Sequence, residues 1–193
     1  MPTPGSTTGD RPMRGPARAA SMARMTTLHL TPTEQVTIRM GTPRRLVVDV
    51  RYLGSDGRPP LHLHPQQTEH FEVVEGTLHA LVDGESRIVP AGGTLDIPRG
   101  TPHTMWAPDG EVRARWETTP AGRTADWFRA LDRLQREGRV GKNGMPGVLA
   151  FATLLTEYDD VFRLAVPGAP LVQGALAALA PIGRLRGYRA VAA

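Results

Sequence analysis

From Thr27 to Trp116 apolar and polar residues alternate with a period of two, and turn-forming residues recur about every eight to twelve positions. The candidate strands are Leu28–Leu30, Gln35–Met40, Arg45–Leu53, Glu69–Glu75, Thr77–Val82, Ser86–Val89, Thr94–Ile97, His103–Ala107 and Glu111–Glu117. Between them stand turn signals such as Gly54-Ser-Asp-Gly57, Asp83-Gly84, Pro90-Ala-Gly-Gly93 and Pro108-Asp-Gly110. Many short strands at this spacing predict a mainly β domain, a sandwich or a barrel. After Pro120 the period becomes helical. A first helix is expected from a Thr124 cap to a stop at Gly138, with Trp127, Phe128, Leu131 and Leu134 on one face. A second is expected to open at Pro146 and to present Val148, Phe151, Leu154, Leu155 and Tyr158. A third runs from Pro170, with Leu171, Val172, Ala175, Leu176 and Leu179 inward and Pro181 kinking or ending it. Residues 1–26 are rich in Pro, Gly, Ser, Thr and Arg without periodicity, which predicts a disordered tail. The expected organisation is therefore a tail over 1–26, a β barrel over 27–120 and a helical extension of the same domain over 121–193.

Composition narrows the chemistry. The 193 residues contain no cysteine, so disulfide scaffolds, thiolate metal sites and cysteine nucleophiles are excluded. Only His, Asp and Glu remain as strong metal ligands, and there are six histidines to consider. The net charge of +4 is carried by the two ends, while the middle of the chain is mildly acidic. A basic excess in the tails is not a docking face, so nucleic acid is not an expected partner. No run of the chain is apolar enough for a leader or a membrane span, and a cytoplasmic protein without membrane contact is expected.

The informative segment is His62-Leu-His64-Pro-Gln-Gln-Thr-Glu69-His-Phe-Glu-Val-Val-Glu-Gly76. On a strand His62 and His64 share a face. From Glu69 onward the alternation puts Glu69, Phe71 and Val73 on one mostly apolar face and His70 and Glu72 on the other, which places the Glu69 carboxylate inward. An inward carboxylate on an apolar face needs a compensating charge. A divalent ion shared with imidazoles would supply it. A second segment, Gly92 to Trp106, brings Pro98, Gly100 and His103, with Met105 on the same face as His103. His70, His79 and His29 read as solvated or structural, and Glu72 and Glu75 as a solvated face. The Trp127–Phe128 pair reads as a helix docking on the barrel.

The two segments together resemble the paired motifs of the cupin superfamily. His62, His64, Glu69 and Gly76 stand at the first motif's intervals, and Gly92, Pro98, Gly100 and His103 at the second's. The chain departs from the pattern at two points. Four residues, not five, separate Gly57 from His62, and Ala107 stands where the family has Asn. The resemblance implies a cupin jelly-roll barrel, a double-stranded β-helix, with about three C-terminal helices packed on it. It also implies one divalent metal ion (Fe, Mn, Ni or Zn) held by His62, His64, Glu69 and His103. The run from Gly141 to Ala190 resembles the helical tail of a group of bacterial cupin-domain proteins, through Gly144-Met145-Pro146, Glu157 with Asp159, Pro170 with Val172-Gln173, and Gly187-Tyr188-Arg189.

The function implied is a metal-dependent enzyme, similar to quercetin and acireductone dioxygenases, acting on a small, largely apolar or enolic substrate. Glu69 would also move a proton, and Phe71, Val73 and Met105 would line the pocket. Two alternatives stay open: a non-oxidative cyclase, isomerase or decarboxylase using the ion as a Lewis acid, and a non-enzymatic small-ligand-binding module. A homodimer is the expected assembly.

Overall fold

A computed structural model describes residues 26–55 and 57–189. The expected disorder of residues 1–26 falls, apart from Thr26, outside the described residues. Among the described residues, eleven strands and three helices follow one another. The strands are β1 (Thr27–Thr31), β2 (Glu34–Gly41), β3 (Leu46–Tyr52), β4 (His62–Leu63), β5 (Thr68–Glu75) and β6 (Thr77–Val82). They continue with β7 (Glu85–Pro90), β8 (Thr94–Ile97), β9 (His103–Trp106) and β10 (Val112–Thr119). The extension holds α1 (Thr124–Arg136), α2 (Val148–Glu157), β11 (Arg163–Leu164) and α3 (Ala169–Leu185).

Two antiparallel sheets face one another. One has six strands in the order β1-β2-β3-β10-β5-β8, the other five in the order β11-β4-β9-β6-β7. The alternation in sequence becomes the two faces of each strand: β5 and β10 bury every second residue. Val48, Val50, Phe71, Val73 and Ala114 fill the space between the sheets. Trp116 on β10 stacks on Phe71 of β5, with ring centroids 5.2 Å apart. Each such side chain contributes on the order of 2 kcal/mol on burial.

The extension is joined to the barrel by backbone as well as by packing. β11 pairs with β4, placing Leu164 opposite His62, and the Ala165 N–H donates to Leu61 O at 2.8 Å. β11 thereby covers the β4 edge that would otherwise expose unpaired backbone groups. α1 lies along β1, where Asp132 accepts from the His29 N–H at 2.8 Å. The loop before α2 is held against the first hairpin by Gln135, which donates to Leu30 O at 3.1 Å and Gly144 O at 2.8 Å. Gly144 has φ +73°, and a Cβ there would lie 2.0 Å from Pro32 Cδ. Only glycine fits that approach.

The helices differ from expectation in detail. α1 is preceded by Arg123, and Thr124 is its first residue; the Thr124 hydroxyl donates to Ala121 O and caps nothing. α2 opens after Gly147, so Pro146 precedes the helix. Pro181 lies inside α3 without ending it. The largest correction concerns the buried face of α3. Leu171 is 82% exposed, Val172 and Ala175 are also exposed, and the helix buries Ala180 and Gly183 against α2. Helical periodicity in an Ala-rich segment marks two apolar faces equally well, and close approach to α2 selects the one with the smaller side chains.

Candidate metal centre

Three imidazoles meet between the sheets. His62 lies on β4, directly opposite His103 on β9, and His64 follows one residue after β4 ends. β4 is only two residues long, so the shared face expected for His62 and His64 extends beyond the strand itself. All three side chains are buried, and one ring nitrogen from each lies within 4.8 Å of the others. Glu69 approaches from β5: one oxygen is 3.2 Å from His64 Nε2 and the other 3.0 Å from His103 Nε2. The mutually close set contains the three histidines, with Glu69 against two of them.

Backbone carbonyls fix which nitrogen faces inward. His62 Nδ1 lies 2.8 Å from Pro60 O, His103 Nδ1 2.9 Å from Thr101 O, and His64 Nδ1 2.5 Å from Val161 O. A carbonyl oxygen only accepts, so each Nδ1 carries the proton and donates it. The Nε2 of each neutral ring is then an unprotonated lone pair. Both oxygens of Glu69 and Nε2 of His103 are buried without a well-formed hydrogen bond. Lone pair facing lone pair across 3.0 Å is repulsive unless a cation or a proton stands between them. A divalent ion satisfies all of these atoms at once, and the donor set of three imidazoles and one carboxylate suits a first-row metal.

The electrostatics agree for His62, His64 and Glu69. Burial first, and the other two imidazoles next, hold His62 well below the usual imidazole range. Burial also lowers His64, against the pull of Glu69. For His103 burial is outweighed by its contact with Glu69 and the Thr101 carbonyl, and its pKa rises. Burial pushes Glu69 up, but His64, His103 and the nearby Trp116 indole together hold it below the ordinary carboxylate value. Glu69 is thus kept ionised, and His62 and His64 neutral, as metal ligation requires.

The cluster opens into a cavity of about 750 Å³ of empty space, its mouth included. Met105 lines it. Phe71 and Val73 do not: they are fully buried in the core behind Glu69. Their places are taken by side chains of the extension, among them Trp127, Phe128, Leu131, Met145, Phe151 and Phe162. Phe162 stacks on His62 at 4.5 Å between centroids with 14° between planes, and on Trp127 at 5.0 Å. Trp127 and Phe128 therefore dock on the barrel and wall the cavity together. Strand parity does not reach these residues, since they come from a different layer. Glu34 and Tyr52 also line the cavity. Their signal was legible: Glu34 shares the parity of buried Val36, and Tyr52 that of Val48 and Val50.

The remaining histidines lie outside the site. His70 pairs with Asp96 at 2.6 Å and His79 with Asp109 at 3.1 Å on the outer surface, and His29 is exposed on β1. No helix is long and apolar enough to cross a membrane among the described residues.

Residues 49–119 match the family model described as the cupin domain. Among curated proteins, the chain is 53% identical over 49 residues to Oxidoreductase iacF of Pestalotiopsis fici, covering 25% of this chain and 24% of that protein. It is 36% identical over 50 residues to Probable oxidoreductase virH of Hypocrea virens, covering 25% and 23%. The match thus spans about a quarter of either relative. Among solved structures, KdgF from Halomonas sp. is similar, with TM-score 0.46 and 22% identity over 49% of this chain and 86% of that one. An RmlC-like cupin from Shewanella frigidimarina gives TM-score 0.47 and 18% identity over 51% and 86%.

Proposed function

We propose that the protein, whose residues 49–119 match the cupin domain and which gathers three buried histidines, is a metal-dependent oxidoreductase, of dioxygenase type, acting on a small, largely apolar or enolic substrate. The observation that carries this reading is the convergence of three Nε2 lone pairs, each set by a carbonyl on Nδ1, beside an ionised and unsatisfied Glu69. His62, His64, Glu69 and His103 would hold one divalent ion. Bound there, such an ion would supply Lewis acidity and, if redox-active, a place for dioxygen chemistry. The short partial matches to proteins named as oxidoreductases support the oxidative reading.

The chain's own residues have separable roles in this proposal. The carbonyls of Pro60, Thr101 and Val161 orient the imidazoles. Glu69 balances the ion's charge and, at a free oxygen, can hold or release a proton. Trp127, Phe128, Phe151 and Phe162 keep water from the reacting face and accept an apolar substrate. No lysine or arginine lines the cavity among the described residues, which disfavours an anionic substrate such as a sugar phosphate.

The test is elemental analysis of untagged protein, followed by oxygen-electrode assays against a panel of enols and hydroxylated aromatics. About one divalent ion per chain and substrate-dependent oxygen uptake are expected. Turnover that proceeds equally without oxygen would replace this reading with the non-oxidative cyclase or isomerase. A metal-free protein whose melting temperature ignores added ions would leave a ligand-binding module.

A further inference from the structure

Glu34 enters the cavity from β2, outside the segment matched by the cupin family model. In the β2–β3 ladder it is the direct partner of Tyr52, so the two side chains stand on one face side by side. Both also line a second cleft, whose rim carries exposed Arg58, Lys142 and Asn143. The pair therefore sits where that outer cleft meets the cavity holding His62, His64 and Glu69. Among the described residues, neither the Glu34 carboxyl nor the Tyr52 hydroxyl has a hydrogen bond or an ion pair. Leu30, Phe128, Leu131, Met145 and Phe151 make the surrounding wall apolar. Neither group is among the buried polar atoms left without a partner, so water reaches both, and the O–H of a bound substrate would take that water's place.

We propose that Glu34 and Tyr52 are a substrate-recognition pair for the hydroxyl or enol O–H of an uncharged, apolar substrate. Glu34 accepts from that O–H, and the Tyr52 hydroxyl donates to the same oxygen or to a neighbouring carbonyl. The proposal rests on the reading that substrate occupies the cavity beside the metal. Burial first, and the negative Glu69 second, push the Glu34 carboxyl up to about 7. Burial first, then Glu34 and Glu69, keep Tyr52 protonated and hence a donor. An anionic substrate group would meet two carboxylates here, with no cationic side chain on the inner wall to offset them.

The test uses full-length protein loaded with zinc, which is redox-silent, and three fluorescent probes of one shape: naphthol, its methyl ether and naphthoate. Zinc content is measured for every sample, and each titration is repeated on metal-free protein. Wild type is expected to bind naphthol about tenfold tighter than the methyl ether, the worth of one hydrogen bond to a charged group. It should bind naphthoate more weakly than naphthol. Glu34→Leu should abolish the preference for naphthol over the ether, and Tyr52→Phe should reduce it, with zinc content unchanged in both. The second variant keeps the test decisive if the first fails to fold. A wild type that does not bind naphthol, or binds probe and ether equally, overturns the proposal. So does a preference that survives in Glu34→Leu or is undiminished in Tyr52→Phe. Failure to load zinc counts against the metal reading alone, since the preference is still read in the metal-free protein.

Discussion

The barrel contributes His62, His64, Glu69 and His103 to the cluster, while the C-terminal extension contributes Trp127, Phe128, Phe151 and Phe162 to the wall. The barrel residues are placed by strand register: β4 sets His62 opposite His103, and a one-residue slip would turn either imidazole outward. The extension residues need only be apolar and of the right volume, so many sequences could serve. One contact crosses this division. Val161 O, from the extension, orients His64, and Phe162 stacks on His62. The extension therefore shapes the cavity and also holds two of the three imidazoles in place.

That dependence can be broken outright. Ending the chain at Pro120 keeps every barrel side chain of the cluster but uncovers Trp116 and the β4 edge and removes the His64 acceptor. The expected product is insoluble or molten and binds no metal, checked by solubility, near-UV dichroism and elemental analysis. A soluble, metal-replete fragment with a cooperative melt would show the barrel to be self-sufficient.

A paired substitution gives a finer measure. Phe162→Ala should cost about 3 kcal/mol of stability through lost core volume and weaken metal binding roughly tenfold through the freed His62 ring. His103→Ala should lower metal affinity by roughly a hundredfold or more, while its cost to the stability of metal-free protein stays no larger than that of Phe162→Ala. Chelator competition and urea unfolding report the two quantities. Equal metal effects from the two variants would erase the distinction between barrel and extension.

Smaller effects lie further from the cluster. A Cβ at Gly183 would stand 2.2 Å from Thr153 Oγ1 and 2.6 Å from Leu149 O. Gly183→Ala should wedge α3 from α2 and lower stability by about 2 kcal/mol, with metal affinity close to wild type. The smallest change concerns pH. In metal-free protein the Glu34 carboxyl has its pKa raised to about 7, above its ordinary value of 4.5. The folded state thus binds the extra proton between these values, and stability should fall as pH rises from about 4.5 to 7. Glu34→Gln should flatten that part of the profile and melt higher than wild type at pH 8, but not at pH 4.

Much of this division was legible in the chain. The period-two alternation located the nine longer strands of the barrel to within a few residues, because most of them, β5 and β10 above all, bury one face. The spacing His62-x-His64 with Glu69 and His103 pointed to the cluster, because only a few residue types can hold a metal. The inward parity of Glu34 and Tyr52 was also present, although no neighbouring motif drew attention to it. β4 and β11 were not legible, since two residues carry no period and their pairing spans a hundred positions of chain. The inward face of α3 was misread for a related reason: periodicity shows that a helix has apolar faces, and only its neighbour decides which is covered.

The sequence by itself determined the barrel, the three helices and the four residues of the cluster, because local periodicity and residue chemistry are written position by position. Only the tertiary structure decided that Phe71 and Val73 lie behind the site, that Phe162 and Trp127 wall it, and that Val161 orients His64. Those facts depend on which surfaces meet when α1, α2 and β11 close over the barrel. Contact between segments distant in sequence is fixed by shape and the burial of apolar area, and no local pattern encodes it.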